Sequence, residues 1–215
     1  MARDRSPIVK QSRREGVALH PKANKVLVKK TGIPGQHAHG RQGKPSLYLT
    51  QLREKQKVRR MYGLLEKQFA RLMREAERRE GLAGENLLQL LERRLDNAVY
   101  RAGFAVSRQA ARQLVSHGHF TLNGKRVDIP SIRLSEGDVI AVREKSTKST
   151  YFKEIDNVLN NSVQGPLSWQ KSDPKKLTIE ITGLPKREEA EQNIAKRADV
   201  VFHLKTVFRF RKQHT

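Results

Sequence analysis

The side chains of this sequence that can do chemistry are mostly cationic. Lys and Arg number 44 against 22 Asp and Glu, a formal net charge of +22. The best-defined cluster begins at Ser107, a residue type that caps helices, followed by Arg108 and Arg112 four residues apart on one face. A helix N-terminus presents unbonded N–H groups and the positive end of a dipole, which suits a phosphate. Guanidinium forks beside it match phosphate oxygens in pairs. A second cluster, Arg53, Lys55, Lys57, Arg59 and Arg60, lies in the run QLREKQKVRR with a single acid, Glu54, inside it. Charge on a helix face is ordinarily solvated surface. So dense a run points instead to phosphate contact.

Other chemistries find little support. The chain has no cysteine, which removes disulfides, thiolate-ligated zinc and thiol nucleophiles. His117 and His119 flank one glycine with no third ligand of the right type nearby, so a metal is not expected there. His37 and His39 read more simply as imidazoles that hydrogen-bond or stack on nucleic acid. Asp96-Asn97 falls mid-helix beside a leucine core, which favours a structural role such as pairing with Arg93 or Arg101. No phosphate-cradling glycine loop and no nucleophile–base pair stand at recognisable spacing. The expectation is a protein that is not an enzyme and uses no cofactor and no metal.

Elements of two periodicities must position these residues. Leu65, Phe69, Leu72 and Ala76 give helical spacing within 47–80, with Gly63 breaking it into two helices. Leu87, Leu91, Leu95 and Val99, with Leu88 beside them, predict one helix from Glu85 to Gly103, with Arg93, Arg94 and Arg101 on its flanks. The Ser107 helix runs to about Ser116 on Ala110, Ala111, Leu114 and Val115. The period then becomes two. Phe120–Leu122 and Lys125–Val127 are strands joined by Asn123-Gly124, a type I′ turn, and Val139–Arg143 is a third strand after the Glu136-Gly137-Asp138 turn. Leu177–Ile181 reads as a strand, 151–161 and 186–197 as short helices, and 200–210 as imperfect alternation. Trp169 is expected to pack. The fold class is α+β.

Residues 1–45 hold eleven Lys and Arg against two acids, and Gly32, Pro34, Gly35, Gly40, Gly43 and Pro45 interrupt them. Such a segment is expected to be disordered alone and to order on a polyanion. Nucleic acid is the natural partner for the whole charge, because each neutralised phosphate releases condensed counterions. No stretch of about 18 apolar residues exists, so no membrane partner is expected. The start, Met1-Ala2-Arg3-Asp4-Arg5, lacks an apolar core, so no secretory signal is expected.

Five motifs in order carry a family resemblance: QLREKQKVRRMYG (51–63), GENLLQLLERRLDNAVYRAGF (84–104), SRQAARQLVSHGHF (107–120), NGKRVDIPS (123–131) and GDVIAVREKS (137–146). With SRREG (12–16) and PGQH (34–37), they resemble the bacterial-type small-subunit ribosomal protein S-four family. The resemblance implies a basic arm at 1–45, the helical part of an N-terminal domain at 46–92, the S-four-type RNA-binding module at 93–158, and a C-terminal segment at 159–215 packing on both. It also implies a structural, primary ribosomal-RNA-binding protein that nucleates assembly at the five prime domain and contributes to translational accuracy. Its partners would be small-subunit ribosomal RNA, the S-five protein and other small-subunit proteins, and messenger RNA near the entry channel. Its location would be the ribosome in the cytoplasm.

Carried over onto this sequence, the implied RNA contacts in the module are Arg93, Arg94, Arg101, Ser107, Arg108, Arg112, His117, Asn123, Lys125 and Arg126. Arg13, Arg14 and His37 join them from the arm motifs, beside the 53–60 run. Some members of the family hold a four-cysteine zinc knuckle. Aligned on SRREG, two of those cysteines would fall at Val9 and Ser12, so this chain is a cysteine-free form without the zinc. The end, VVFHLKTVFRFRKQHT, departs from the aromatic-Ser-basic tail common in the family. An RNA-modifying enzyme using the module as a tether would need a catalytic domain, and only about 60 residues follow the module, short of the usual domain scale. A stand-alone chaperone of stalled ribosomes would not need the basic arm or the 47–80 helices.

Overall fold

A computed structural model describes residues 4–30, 32–36, 40, 43–155 and 167–186. They fall into two compact units, one ending at Gly84 and one beginning at Glu85. The expectations for His37 and His39, for helix 186–197 past Lys186, for the 200–210 alternation and for 156–161 lie outside the described residues.

The first unit opens with two helices where the sequence predicted none: α1 (Ile8–Glu15) and α2 (Pro21–Lys29). Composition misled because local capping decides the matter. Gly16 closes α1 in the left-handed region at φ 66°, its N–H bonding the Ser12 carbonyl. His20 caps α2 by accepting from the Lys22 N–H, with Pro21 in the first turn where its missing donor costs nothing. The glycine- and proline-rich stretch that prompted the expectation begins only at Gly32. Ser12 is fully buried; its Oγ donates to the Ile8 carbonyl and accepts from the Leu19 N–H. A hydroxyl staple thus closes the α1 turn.

Helix α3 (Leu47–Met61) is capped by Ser46, and α4 (Glu66–Arg78) follows the break at Gly63, whose φ is 63°. The α4 stripe Phe69, Leu72 and Ala76 is buried as its spacing predicts, joined by Met73, while Leu65 is the residue preceding the helix. Val58, Met61, Tyr62 and Leu64 are buried beside that stripe in the sequence.

The second unit begins with α5 (Ala83–Glu92) and α6 (Leu95–Arg101). The predicted continuous helix is therefore broken at Arg93-Arg94. Arg94 is extended (φ −74°, ψ 139°) and bridges antiparallel to Arg133. The Leu134 N–H bonds the Arg93 carbonyl at 2.8 Å, and the N–H groups of Leu95 and Asp96 bond the carbonyls of Ile132 and Pro130. Long-range strand-like hydrogen bonds replace helical ones there, which no local periodicity reveals.

Helix α7 (Arg108–Ser116) starts on Ser107, whose Oγ accepts from the Ala110 N–H at 3.2 Å. The hairpin β1 (Phe120–Leu122) and β2 (Lys125–Val127) turns on Asn123 and Gly124, both at positive φ (49° and 79°), as a type I′ turn requires. Strand β3 (Val139–Val142) is followed by the short helices α8 (Glu144–Thr147) and α9 (Thr150–Lys153). Then come β4 (Gln170–Asp173), which the sequence did not signal, and β5 (Thr178–Ile181). The five strands form an antiparallel sheet in the order β2-β1-β3-β5-β4. The C-terminal segment thus extends the module's own sheet. Phe120, Ile140, Val142, Ile179 and Ile181 alternate inward and share one core with Leu95, Val99, Phe104, Ala111, Val115, Phe152 and Trp169. The architecture is α+β, with helices on one face of the sheet.

Candidate nucleic-acid interface

The core face of α6 and α7 fixes where their polar residues stand. Arg108 leaves the first turn of α7 with its guanidinium over the Tyr100 ring, 4.6 Å from the centroid, and its Nε donates to Asn97 Oδ1 at 2.8 Å. Arg112, one turn on, has a guanidinium nitrogen 3.6 Å from Asp96 Oδ2. The buried Ser107 cap and these two half-buried arginines share the N-terminal half of α7. That grouping can seat a phosphate: N–H donors and a dipole in front, planar cations beside it. His117 ends the same helix, exposed, with its ring centroid 6.0 Å from that of His119. Lys125 and Arg126 are exposed on the hairpin. Arg126 crosses back to Gly118: a β-carbon there would come within 2.8 Å of its Nε.

Four cations expected at the surface are buried instead. Arg94 is bound in a fork to Asp96 (3.0 and 2.8 Å). Arg101 forks onto Glu92 (3.0 and 2.8 Å). In the first unit, Lys55 pairs with Glu66, and Lys57 pairs with Glu54 at 2.9 Å. A buried cation whose hydrogen bonds go to a carboxylate organises the fold. In this structure the side chains of these four are committed to carboxylates. Asn123 is likewise committed, although exposed: Nδ2 donates to Asp138 Oδ1 at 2.8 Å and Oδ1 accepts from the Val139 N–H at 2.9 Å. It ties the hairpin turn to β3. Asp96 is structural, as expected, but its partners are Arg94 and Arg112 rather than Arg93 or Arg101. Arg93 donates from Nε to the Leu134 carbonyl at 2.7 Å and is half-buried.

The first unit supplies its own basic residues. Arg14 is exposed, whereas Arg13 donates twice to the Gly32 carbonyl (3.2 and 2.8 Å) and pins the chain after α2. Arg53 and Arg60 both reach Glu15, whose side chain is completely buried. Burial pushes the Glu15 carboxyl up, opposed by Arg53, Arg60, Lys57 and Arg14. Arg59 is half-buried, with Nε donating to Gln56 Oε1. The 53–60 run thus divides into two buried lysines and three half-buried arginines, of which Arg53 and Arg60 also hold α1 through Glu15.

Sequence reasoning missed Glu92 and Tyr100 as organisers of the basic surface, and gave Asn97 a structural role without its partners Glu92 and Arg108. Glu92 and Arg101 stand nine residues apart, a separation that suggests no contact on a continuous helix. Only the break at Arg93-Arg94 brings them together. Burial of His119 holds its imidazole below the ordinary range, with His117 and Arg143 adding repulsion. Among the described residues no group of His, Cys, Asp and Glu could hold a metal ion. Among them, too, no helix is long and apolar enough to cross a membrane.

Comparison with known proteins agrees with this arrangement. Residues 3–92 match the family described as ribosomal protein S4/S9 N-terminal domain, and residues 93–140 match the S4 domain. The small ribosomal subunit protein uS4 of Clostridioides difficile (strain 630) is 51% identical over 201 residues, covering 91% of this chain and 95% of the relative. That of Heliobacterium modesticaldum is 49% identical over 200 residues, covering 90% and 95%. That of Chloroflexus aurantiacus is 46% identical over 205 residues, covering 94% and 99%. Coverage of that extent reaches into the C-terminal segment, beyond the motifs of residues 51–146. With a helical N-terminal part, an S4 domain and similarity along nearly its whole length, the chain belongs to the family of small ribosomal subunit protein uS4.

Proposed function

We propose that this protein is a structural constituent of the small ribosomal subunit that binds ribosomal RNA directly. In this reading it nucleates assembly at the five prime domain and contributes to translational accuracy through neighbours that include the S-five protein, near the messenger entry channel. It acts in the cytoplasm, as part of the ribosome, without a catalytic step. The arm (1–45), the helical part (46–92), the module (93–158) and the C-terminal segment (159–215) then divide the work of widening one RNA footprint. The observation that carries the reading is the Ser107-capped start of α7 with Arg108 and Arg112 beside it. Arg14, Arg53, Arg59, Arg60, Arg93, His117, Lys125 and Arg126 extend it as contacts to phosphate and sugar. Such contacts position a protein on folded RNA without reading many bases. A net charge of +22 supplies the long-range attraction.

The test is filter binding to small-subunit ribosomal RNA across a salt series, comparing the parent chain with Arg108→Ala/Arg112→Ala. Preference for the five prime domain, lost affinity in the double variant and a salt slope shallower by roughly two, about one per cation removed, are expected. Equal binding to unrelated RNA, unchanged by the double substitution, would reduce the interaction to bulk charge and remove the assignment.

A further inference from the structure

Asn97 is 2% exposed and lies between an acid and the arginine of the proposed phosphate seat. Its Nδ2 donates to Glu92 Oε2 at 2.6 Å and to the Glu92 carbonyl at 3.2 Å. Its Oδ1 accepts from Arg108 Nε at 2.8 Å. An amide has a donating end and an accepting end, and only its neighbours decide which way it points. Here the decision is forced. Glu92 is already forked onto Arg101, at 3.0 and 2.8 Å, and offers only acceptor oxygens. The amide nitrogen must face Glu92, so the amide oxygen must face Arg108.

The consequence for Arg108 is a fixed orientation. The guanidinium carbon sits 4.6 Å from the Tyr100 ring centroid, and the Nε bond to Asn97 fixes which edge of the guanidinium turns inward. We propose that Asn97 is a positioning residue for RNA binding: Glu92 orients the amide, and the amide holds Arg108 ready at the start of α7. The inference rests on the reading of Arg108 as an RNA contact. It adds that the orientation is set before RNA arrives by Asn97 and Glu92, each 2% exposed, so the rotamer freedom of a long side chain is not lost on binding.

Asn97→Asp keeps an oxygen facing Arg108 Nε but places a second carboxylate against Glu92, whereas Asn97→Ala removes both ends of the contact. The experiment measures affinity of the full chain for the five prime domain of small-subunit ribosomal RNA, with a thermal melt of every variant. Asn97→Ala is expected to weaken binding roughly two- to tenfold, the scale of immobilising one flexible side chain at an interface. It should add nothing in an Arg108→Ala background and should add fully to Arg126→Ala, because Asn97 bonds Arg108. Asn97→Asp should weaken binding; should that chain fail to fold, the alanine cycle still decides. A loss in Arg108→Ala that is simply additive with Asn97→Ala overturns the positioning role alone. No loss in Arg108→Ala removes the contact reading and the inference with it.

Discussion

Gly118 offers a perturbation whose effects on stability and on binding should separate. It follows α7 at φ 70°, and a β-carbon would lie 2.8 Å from Arg126 Nε and 2.9 Å from one of its terminal nitrogens. Gly124 in the hairpin turn has a similar φ of 79° but nothing within 4 Å of the same imagined atom. Gly118→Ala and Gly124→Ala should therefore share the strain of a left-handed alanine, about 1–2 kcal/mol. For a unit of this size that corresponds to a melting shift of roughly 4–8 °C per kcal/mol. The atoms met at Gly118 are the far end of a flexible side chain, so Arg126 swings away at little cost in stability. What it gives up is its place beside α7. If Arg126 holds one phosphate, losing it costs up to roughly tenfold in affinity at 0.1 M salt and flattens the salt slope by about one. Calorimetry and filter binding on four chains, the two alanine variants, Arg126→Ala and Gly118→Ala/Arg126→Ala, measure both quantities. Gly118→Ala should bind like Arg126→Ala, Gly124→Ala like the parent, and the double variant like either single change at the seat. Full RNA affinity in Gly118→Ala, or a further loss in the double variant, would refute the reasoning.

The remaining expectations concern acid, the hairpin and the C-terminal strands. Because the His119 imidazole is held below its ordinary value of 6.5 by burial, with His117 and Arg143 adding to it, the folded state binds that proton less readily than the unfolded chain. Its contribution to stability is therefore complete above about pH 6.5 and declines as pH falls through that value, a trend that His119→Asn should flatten in melts recorded against pH. Asn123→Asp sets a carboxylate against Asp138 Oδ1, now 2.8 Å from Nδ2, and removes the donor between them. Losing that buttress should cost about 1–3 kcal/mol and speed amide exchange at Val139. Trp169, 2% exposed in the core of the second unit, should cost about 3–5 kcal/mol on replacement by alanine, read by chemical denaturation. A cost near zero would mean that β4 and β5 are not integral to that unit.

Much of this was legible along the chain because the signals are local. The α4 stripe, the Ser107 cap, the Asn123-Gly124 turn and the strands around it depend on neighbours within a few residues, and they stand where periodicity and turn chemistry put them. The weak points were places where a distant segment overrides local preference. Arg93-Arg94 leaves the helix because 130–134 offers it backbone hydrogen bonds. Strand β4 has little apolar alternation of its own and is a strand because β5 pairs with it. Helices α1 and α2 lie in a stretch whose composition resembles disorder, and their caps at Gly16 and His20 are local signals that composition does not register.

The division is sharpest for the cations. Residue type and density pointed to a polyanion as partner, because a charge of +22 works against the compact state through self-repulsion. Which cations are presented is a tertiary matter. Lys55, Lys57, Arg94 and Arg101 turn inward to Glu66, Glu54, Asp96 and Glu92, while Arg108, Lys125 and Arg126 stand where phosphate could reach. A guanidinium in a one-dimensional sequence carries only its charge. Its partner, and so its role, depends on which carboxylates the packed core brings within hydrogen-bonding distance, because burial without such a partner is prohibitive.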